Sequence, residues 1–204
     1  IYRESDDYLH GNRPVIFESP WGRVGLAICY DLRFSELFLD LVNMGAKMIF
    51  VPSAFTKTTG RDHWELLVRT RAVETQCYVV AANQGGWHSK KLSTWGETMI
   101  VDPWGKVLDK VVKGKGIAIA DLDISYVERV RANIPMKEHE KAKIIGDHVS
   151  FFTFQQFRFT GNPGFDRGGN RFSEKPALLK IFHDVQDVFD FFFKLVAGDE
   201  FLKQ

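Results

Sequence analysis

Residues 23–37 contain a change of hydrophobic pattern that dictates the local fold. Residues 24–28 are a short run of small and β-branched apolar side chains, which is typical of a buried strand. Beyond Cys29, large apolar residues recur at helical spacing and predict a helix over residues 34–44, with Gly45 as its stop. Cys29 is therefore expected on a tight turn between a buried strand and a helix.

Cys29 on such a turn has the surroundings that a nucleophilic cysteine needs. The positive end of the following helix favours the thiolate form, and neighbouring backbone N–H groups can donate to an oxyanion. The alternative is an inert core cysteine, which is the commoner role of a lone cysteine at the end of an apolar strand. The pattern by itself leaves both interpretations open.

The composition of the chain excludes several classes of function. The chain has 204 residues, 45% of them hydrophobic, and a formal net charge of +1. This permits one sizeable core and gives no electrostatic reason to expect a nucleic-acid or membrane partner. Cys29 and Cys77 are far apart and no Cys/His cluster is present, so we expect neither a disulfide framework nor a metal site. A reducing, cytoplasmic setting fits this pattern best.

The order of predicted elements indicates an α/β fold with a mixed sheet. The predicted strands cover residues 14–18, 24–28, 47–51, 77–82, 98–101, 107–112 and 117–122. The predicted helices cover residues 34–44, 62–76 and 124–131. Residues 52–60 form a loop at the carboxyl end of a buried strand, where α/β sheets bind ligands. Residues 83–94 are predicted as a second loop.

The composition changes at about residue 142. Residues 142–204 are predicted as a separate Phe-rich tail, in which residues 151–176 have no assignable pattern. Apolar residues keep helical spacing over residues 177–197, which predicts an extra C-terminal amphipathic helix. Packing of this helix on its own domain or on a dimer partner is favoured over a membrane-surface role, because its polar face is acidic.

Five sequence blocks together resemble a known family. They are Gly-Leu-Ala-Ile-Cys29-Tyr-Asp-Leu-Arg-Phe-Ser-Glu, Pro52-Ser-Ala-Phe, Thr59-Gly-x-x-His63-Trp-Glu, Arg71-Ala-Val-Glu74-Thr-Gln-Cys-Tyr-Val-Val-Ala-Ala and Val101-Asp-Pro-Trp-Gly105. In this order they make residues 1–141 similar to the C-terminal part of a carbon–nitrogen hydrolase domain of the nitrilase superfamily. The resemblance implies a layered α-β-β-α sandwich, incomplete at the N-terminus, and membership of a family whose proteins are commonly dimers.

The resemblance also implies a chemistry and a set of site residues. Cys29 matches the nucleophile of an amidase that forms a thioester with a small amide such as deaminated glutathione, without metal or cofactor. The backbone N–H of Tyr30 matches the oxyanion donor. Glu4, in Arg3-Glu4-Ser5, matches a supporting glutamate that orients the catalytic groups. His63 and Phe55 are expected to contact substrate, with packing or capping as the alternative for His63.

Four further residues of these blocks are expected to be structural. Asp31 and Arg33 match the family motif beside Cys29, and we expect them to pair because buried charges require partners. Arg71 and Glu74 lie on the second predicted helix, where a structural role is also favoured.

Departures from the family pattern leave alternatives open. The family's general-base glutamate and catalytic lysine are expected before residue 1, so we expect these 204 residues alone to be inactive. The alternatives are an omega-amidase acting on dicarboxylate monoamides, or a catalytically dead relative that serves as a scaffold. A third, a Cys–His–Glu triad, would need His139, whose charged surroundings suggest solvated surface. The resemblance adds the mitochondrion as a second expected location.

Overall fold

The computed structural model describes residues 11–90 and 92–139, together with the backbone of residues 177–182. Ten strands lie in these ranges. They are β1 (Val15–Ser19), β2 (Gly22–Leu26), β3 (Met48–Phe50), β4 (Tyr78–Ala81), β5 (Gly85–Trp87), β6 (Ser93–Trp95), β7 (Met99–Val101), β8 (Val107–Lys110), β9 (Ile117–Leu122) and β10 (Ala177–Phe182). Six of them form the main sheet, in the order β1-β2-β3-β4-β7-β8.

Helical segments connect these strands. They are α1 (Ser35–Asn43), α2 (Lys57–Thr59), α3 (Glu65–Thr75), α4 (Ile124–Asn133) and α5 (Met136–His139). The π-helical turn Gly60–Trp64 joins α2 to α3, so residues 57–75 form one helical segment.

The main sheet combines parallel and antiparallel pairing, as the sequence predicts. β2, β3 and β4 are parallel neighbours, with Val24 opposite Met48 and Met48 opposite Tyr78. β1 and β7 flank them in the antiparallel sense, and β8 follows β7 in a hairpin. The mixed α/β class is confirmed, and the full α-β-β-α layering of the family stays a prediction.

Each face of the main sheet has its own apolar cluster. On one side, helices α1 and α3 contribute Phe38, Leu41, Val68 and Ala72 to a cluster that also includes Trp64. On the other side, the buried residues of β9 and α4 join those of β2, β3, β4 and β7. The burial of β9 alternates strictly, with Ala118, Ala120 and Leu122 buried and the residues between them exposed. This pattern is that of a strand with one face on the core.

Two predicted boundaries in residues 52–94 are wrong. The second helical segment begins at Lys57 rather than residue 62, because the Thr56 side chain caps it by accepting from the Thr59 N–H group. The predicted loop at residues 83–94 contains the β5–β6 hairpin. Its strands are short and rich in glycine and polar residues, so they lack the apolar alternation that marks a strand.

The helix predicted for residues 177–197 is corrected over its first six residues. Ala177–Phe182 forms strand β10, which pairs antiparallel with β9 from Ala177 opposite Leu122 to Phe182 opposite Ile117. The available edge of β9 offers this segment hydrogen-bond partners along its whole length, a long-range effect that local periodicity does not contain. The rest of that helix and residues 151–176 lie outside the described residues, and the division into residues 1–141 and 142–204 stays a prediction.

No helix within the described ranges has the length and apolar character needed to cross a bilayer. In the same part of the chain, no group of three or more His, Cys, Asp or Glu side chains is arranged to hold a metal ion.

Candidate active site

Cys29 lies three positions beyond the carboxyl end of β2, in a conformation that few residues other than glycine adopt. Its φ angle is 44°, in the left-handed region, and its side chain is half-buried. Two backbone hydrogen bonds hold this turn against the neighbouring strand, from Ala27 N–H to the Phe50 carbonyl at 3.0 Å and from Cys29 N–H to the Pro52 carbonyl at 2.9 Å. A strained conformation persists only where the surrounding structure enforces it, and such positions cluster at functional sites.

The chain continues from Cys29 into a 3₁₀ turn, Cys29–Arg33, before helix α1 begins. The sequence predicts a direct transition from the turn to the helix, so this intervening turn is a correction. Asp31 closes it twice, since its N–H donates to the Ile28 carbonyl and its Oδ2 accepts from the Ile28 N–H, both at 2.9 Å. Within the described residues, no backbone carbonyl accepts a hydrogen bond from the Tyr30 N–H. This amide, directly after Cys29, can donate to an oxyanion.

Arg33 does not pair with Asp31, contrary to the sequence prediction. Its guanidinium carbon lies 5.5 Å from the ring centre of Tyr30 and 5.6 Å from that of Phe55. Its two terminal nitrogens lie 3.5 Å and 3.4 Å from Nδ1 of His63. The Asp31 carboxylate accepts from the Ile28 N–H within its own turn, whereas the guanidinium packs against the two aromatic rings.

The structure brings the two predicted substrate-binding residues together through Arg33. Phe55 is buried, and its ring centre lies 4.9 Å from that of Trp64. His63 is exposed and lies in the π-helical turn, a feature that often occurs at functional sites. Phe55 thus contacts the Arg33 guanidinium from the buried side, and His63 contacts the same guanidinium at the protein surface. Their contact with substrate stays a prediction.

Asn83 is a structural residue of this region that sequence reasoning missed. It is 1% exposed, its Oδ1 accepts from the Phe55 N–H at 3.0 Å, and its Nδ2 donates to the Gly96 carbonyl at 2.6 Å. The loop after β3 is thereby fixed to the loop before β7. An asparagine directly after a buried strand was the available signal, because buried amides are retained where several backbone groups need a partner.

The charged side chains on the segments around this site differ in whether they have an ion-pair partner. Asp62 is held in an ion pair with Arg61, and the hydrogen bond from that guanidinium lowers the pKa of the Asp62 carboxyl. Among the ion pairs of the described residues, none includes Arg33 or Lys57. Two cations without a carboxylate partner therefore lie on segments that adjoin the turn at Cys29. Glu4, the predicted supporting glutamate, lies outside the described residues, and its role stays a prediction.

Comparison with known proteins agrees with this geometry. The family description "Carbon-nitrogen hydrolase" matches residues 1–132, which include Cys29, Arg33, Phe55 and His63. The chain belongs to the carbon–nitrogen hydrolase family. The resemblance to this family found in the sequence is therefore confirmed.

Individual relatives of this carbon–nitrogen hydrolase chain are similar over about two thirds of its length. A protein named deaminated glutathione amidase from Dictyostelium discoideum is 50% identical over 139 residues, which cover 68% of this chain and 48% of that protein. The crystal structure of the Caenorhabditis elegans NitFhit protein has a TM-score of 0.67 at 43% identity, covering 69% of this chain and 34% of the other. The chain thus spans about half the length, or less, of these relatives.

A more distant structure concerns the cysteine itself. It is an amidase mutant from Nesterenkonia, which is 25% identical with a TM-score of 0.54 over 66% of this chain and 52% of that chain. In that protein, the acetamide moiety of fluoroacetamide is covalently attached to the active-site cysteine.

Proposed function

We propose that the protein hydrolyses the C–N bond of a small anionic amide, with Cys29 as the nucleophile. The observation that carries this proposal is the left-handed turn at Cys29, with the adjacent Tyr30 N–H lacking an acceptor within the described residues. Membership of the carbon–nitrogen hydrolase family supports the reaction class. Since the chain spans about half of its relatives, the activity is proposed for a protein with the complete domain.

The proposed reaction is acyl transfer in two steps. The Cys29 thiolate attacks the amide carbonyl carbon, and the Tyr30 N–H donates to the oxygen that becomes negative. The C–N bond then breaks, the amine leaves with a proton, and the acyl group remains as a thioester. Water attacks the thioester carbonyl, which releases the carboxylic acid and restores the thiol. The resemblance assigns the proton transfers to a glutamate that precedes the matched residues, with Glu4 as its support.

The surroundings of Arg33 favour a substrate that carries a negative charge. Its guanidinium is oriented by Tyr30, Phe55 and His63 rather than by a carboxylate, so it can receive one from a ligand. Deaminated glutathione carries a carboxylate at each end, and it is the substrate that the name of the Dictyostelium relative indicates. We therefore propose this compound as the substrate. A dicarboxylate monoamide, the substrate of an omega-amidase, is the alternative, because it also carries a carboxylate.

A homodimer is proposed as the assembly state of the complete protein. Leu39 on α1 and Leu66 and Val73 on α3 are exposed, although the opposite faces of both helices are buried. Exposed apolar residues on adjacent helices are typical of an interface. Light scattering of the wild-type protein and of Leu66→Lys tests this, with a shift from dimer to monomer as the expected result. We also propose a cytoplasmic location, which fractionation of the source cells would test.

A chimera tests the proposed chemistry. Residues 1–132 of this chain replace the matching segment of the Dictyostelium relative, and hydrolysis of deaminated glutathione is followed by product release. We expect turnover by the chimera, loss to background in Cys29→Ala, and retention in Cys77→Ala. A chimera that is folded by circular dichroism but inactive, or a Cys29→Ala form that remains active, would contradict the proposal and favour the scaffold interpretation.

The substrate class and the activity of the short chain are tested in the same assay. Faster hydrolysis of a dicarboxylate monoamide than of deaminated glutathione would favour the omega-amidase alternative. We expect no turnover from the 204-residue chain alone, and Cys29-dependent turnover by that chain would contradict this expectation.

A further inference from the structure

Lys57 and Trp87 form a cationic and aromatic pair at the surface. The Nζ atom of Lys57 lies 4.4 Å from the ring centre of Trp87. Trp87 is 69% exposed, and Lys57 is also exposed. Lys57 has no ion-pair partner within the described residues. A cation over a tryptophan face is attracted by the ring, and an ammonium held this way still has donors for an anion.

The pair is held in place by contacts on both of its segments. On the side of Lys57, Thr56 caps α2 through the Thr59 N–H and forms a bridge with Thr94 of β6. On the side of Trp87, the hairpin is closed by a 2.6 Å hydrogen bond between His88 Nε2 and Thr94 Oγ1. Thr94 therefore contacts both segments, so the positions of the ammonium and the indole are linked.

The pair lies on the same end of the sheet as Cys29. Lys57 follows Pro52 by five positions, so the Cα atoms of these two residues are at most about 18 Å apart. The Pro52 carbonyl accepts the Cys29 N–H. Within this loop, Phe55 contacts Arg33 through its ring and accepts at its carbonyl from the N–H of Trp95 at 2.8 Å. Phe55 thus links Arg33 to the β5–β6 hairpin from below the surface, since its side chain is buried.

We propose that Lys57 and Trp87 form an outer subsite that binds the terminal carboxylate of the leaving group. This proposal rests on the proposed function, and it names the substrate class as amides whose amine portion is dipeptide-like and ends in a carboxylate. Arg33 lies in the same 3₁₀ turn as Cys29 and is assigned to the acyl portion, and Lys57, at the start of α2, is assigned to the far end. The Lys57 ammonium donates to the carboxylate, and the Trp87 face packs against the aliphatic part of the same group.

Direct binding to the full 204-residue chain tests the subsite without requiring turnover. Isothermal titration measures Kd for deaminated glutathione and for its analogue in which the glycine carboxylate is a carboxamide. We expect the wild-type chain to prefer the acid by about five-fold, the range of one exposed charge interaction. We expect Lys57→Met to bind both ligands equally and Lys57→Arg to keep most of the preference for the acid. Added salt should weaken this preference in the wild type.

Two controls separate this effect from general changes of charge and fold. Lys106→Met removes an exposed lysine beyond β7, at the opposite end of the sheet, and is expected to leave the preference unchanged. Trp87→Ala is expected to weaken binding of both ligands. An equal Kd for the two ligands in the wild type, a preference that persists in Lys57→Met, or no measurable binding would each overturn the subsite.

The two proposals fail in different ways. If Cys29→Ala retains turnover in the chimera, the proposed chemistry fails whatever Lys57 does. If turnover depends on Cys29 but the preference for the acid does not depend on Lys57, the amidase stands and the outer subsite is wrong.

Discussion

The Nε atom of Arg71 donates a 3.0 Å hydrogen bond to the carbonyl of Leu32, within the turn that follows Cys29. Arg71 is 5% exposed, pairs with Glu74 on its own helix, and has its guanidinium carbon 5.4 Å from the ring centre of Phe38. Helix α3 therefore holds the turn beside the nucleophile by a buried charge. This agrees with the structural role that the sequence predicts for Arg71 and Glu74.

Replacement of Arg71 by methionine is expected to destabilise the protein by about 3 kcal/mol. The Leu32 carbonyl loses its buried, charged donor, which has an effect of about 2–3 kcal/mol, while the partly exposed Glu74 carboxylate loses its partner and adds little. Urea unfolding measures the change. Arg129→Met, which removes a surface ion pair with Asp123, is the control and should change stability by less than about 1 kcal/mol. Similar effects of both substitutions would contradict the role assigned to Arg71.

The two cysteines are expected to differ in reactivity. Cys77 is fully buried, and burial raises the pKa of its thiol, which donates to the Ala46 carbonyl at 3.2 Å. Cys29 is half-buried beside the surface. An alkylating reagent should modify Cys29 alone in the native protein and both cysteines in urea. Peptide mapping by mass spectrometry identifies the site, and native Cys29→Ala should remain unmodified. Labelling of Cys77 in the native protein would show that its cluster opens.

Gly60 is expected to tolerate no side chain. Its φ angle of −63° suits any residue, but an added Cβ would overlap Cβ and Cγ of Trp95. Gly60→Ala should therefore destabilise the protein by about 2 kcal/mol, as overpacking does, although alanine is the better helix former. Thermal unfolding measures the loss. Gly11→Ala, where no atom lies within 4 Å of the added Cβ, is the control and should be near neutral.

Alkaline stability is expected to depend on Tyr78. Burial raises the pKa of the Tyr78 phenol, whose hydroxyl donates to the Asp123 carbonyl at 3.0 Å. Because the folded pKa lies above the unfolded value of about 10, the contribution to stability is complete below pH 10 and is lost as the pH rises toward the folded pKa. Between pH 9 and pH 11 the free energy of unfolding should fall by about 1 kcal/mol more in the wild type than in Tyr78→Phe. Urea unfolding of both proteins at pH 9 and pH 11 measures this difference. The wild type and Tyr78→Phe share all other titrating groups, so an equal fall in the free energy of unfolding in the two proteins would contradict the role of Tyr78.

The parts of the fold that the sequence predicts are those set by local patterns. The strands that begin near Gly22, Met48 and Tyr78 are short apolar runs, and α1 follows helical spacing, so each was predicted within a few residues. Strand β10 was predicted as a helix, because its pairing with β9 depends on residues distant in the chain. The periodicity of a segment indicates only which of its side chains lie on one face. Whether the segment forms a strand also depends on whether another strand in the fold has an unpaired edge.

The predictions about the site divide in the same way. The pattern around Cys29 predicts the turn, because a turn is fixed by adjacent residues, and the oxyanion role of the Tyr30 N–H stays a prediction. The partner of Arg33 was predicted wrongly, since the choice between Asp31 and His63 depends on a helix that packs from thirty positions away. The sequence does not predict the contact between Lys57 and Trp87, because that contact requires the β5–β6 hairpin, which the sequence pattern does not show.

The parallel arrangement of β2, β3 and β4 also sets the order of events during synthesis. Val24 pairs opposite Met48, and Met48 opposite Tyr78, so each strand must wait for a partner encoded well downstream. On the ribosome, the apolar residues of β2 and β3 are therefore made before the strand that completes their pairing has emerged. Contacts of such long sequence separation form slowly and leave apolar edges exposed meanwhile. A chaperone that binds short apolar segments would have its longest opportunity between the synthesis of Phe50 and that of Ala81.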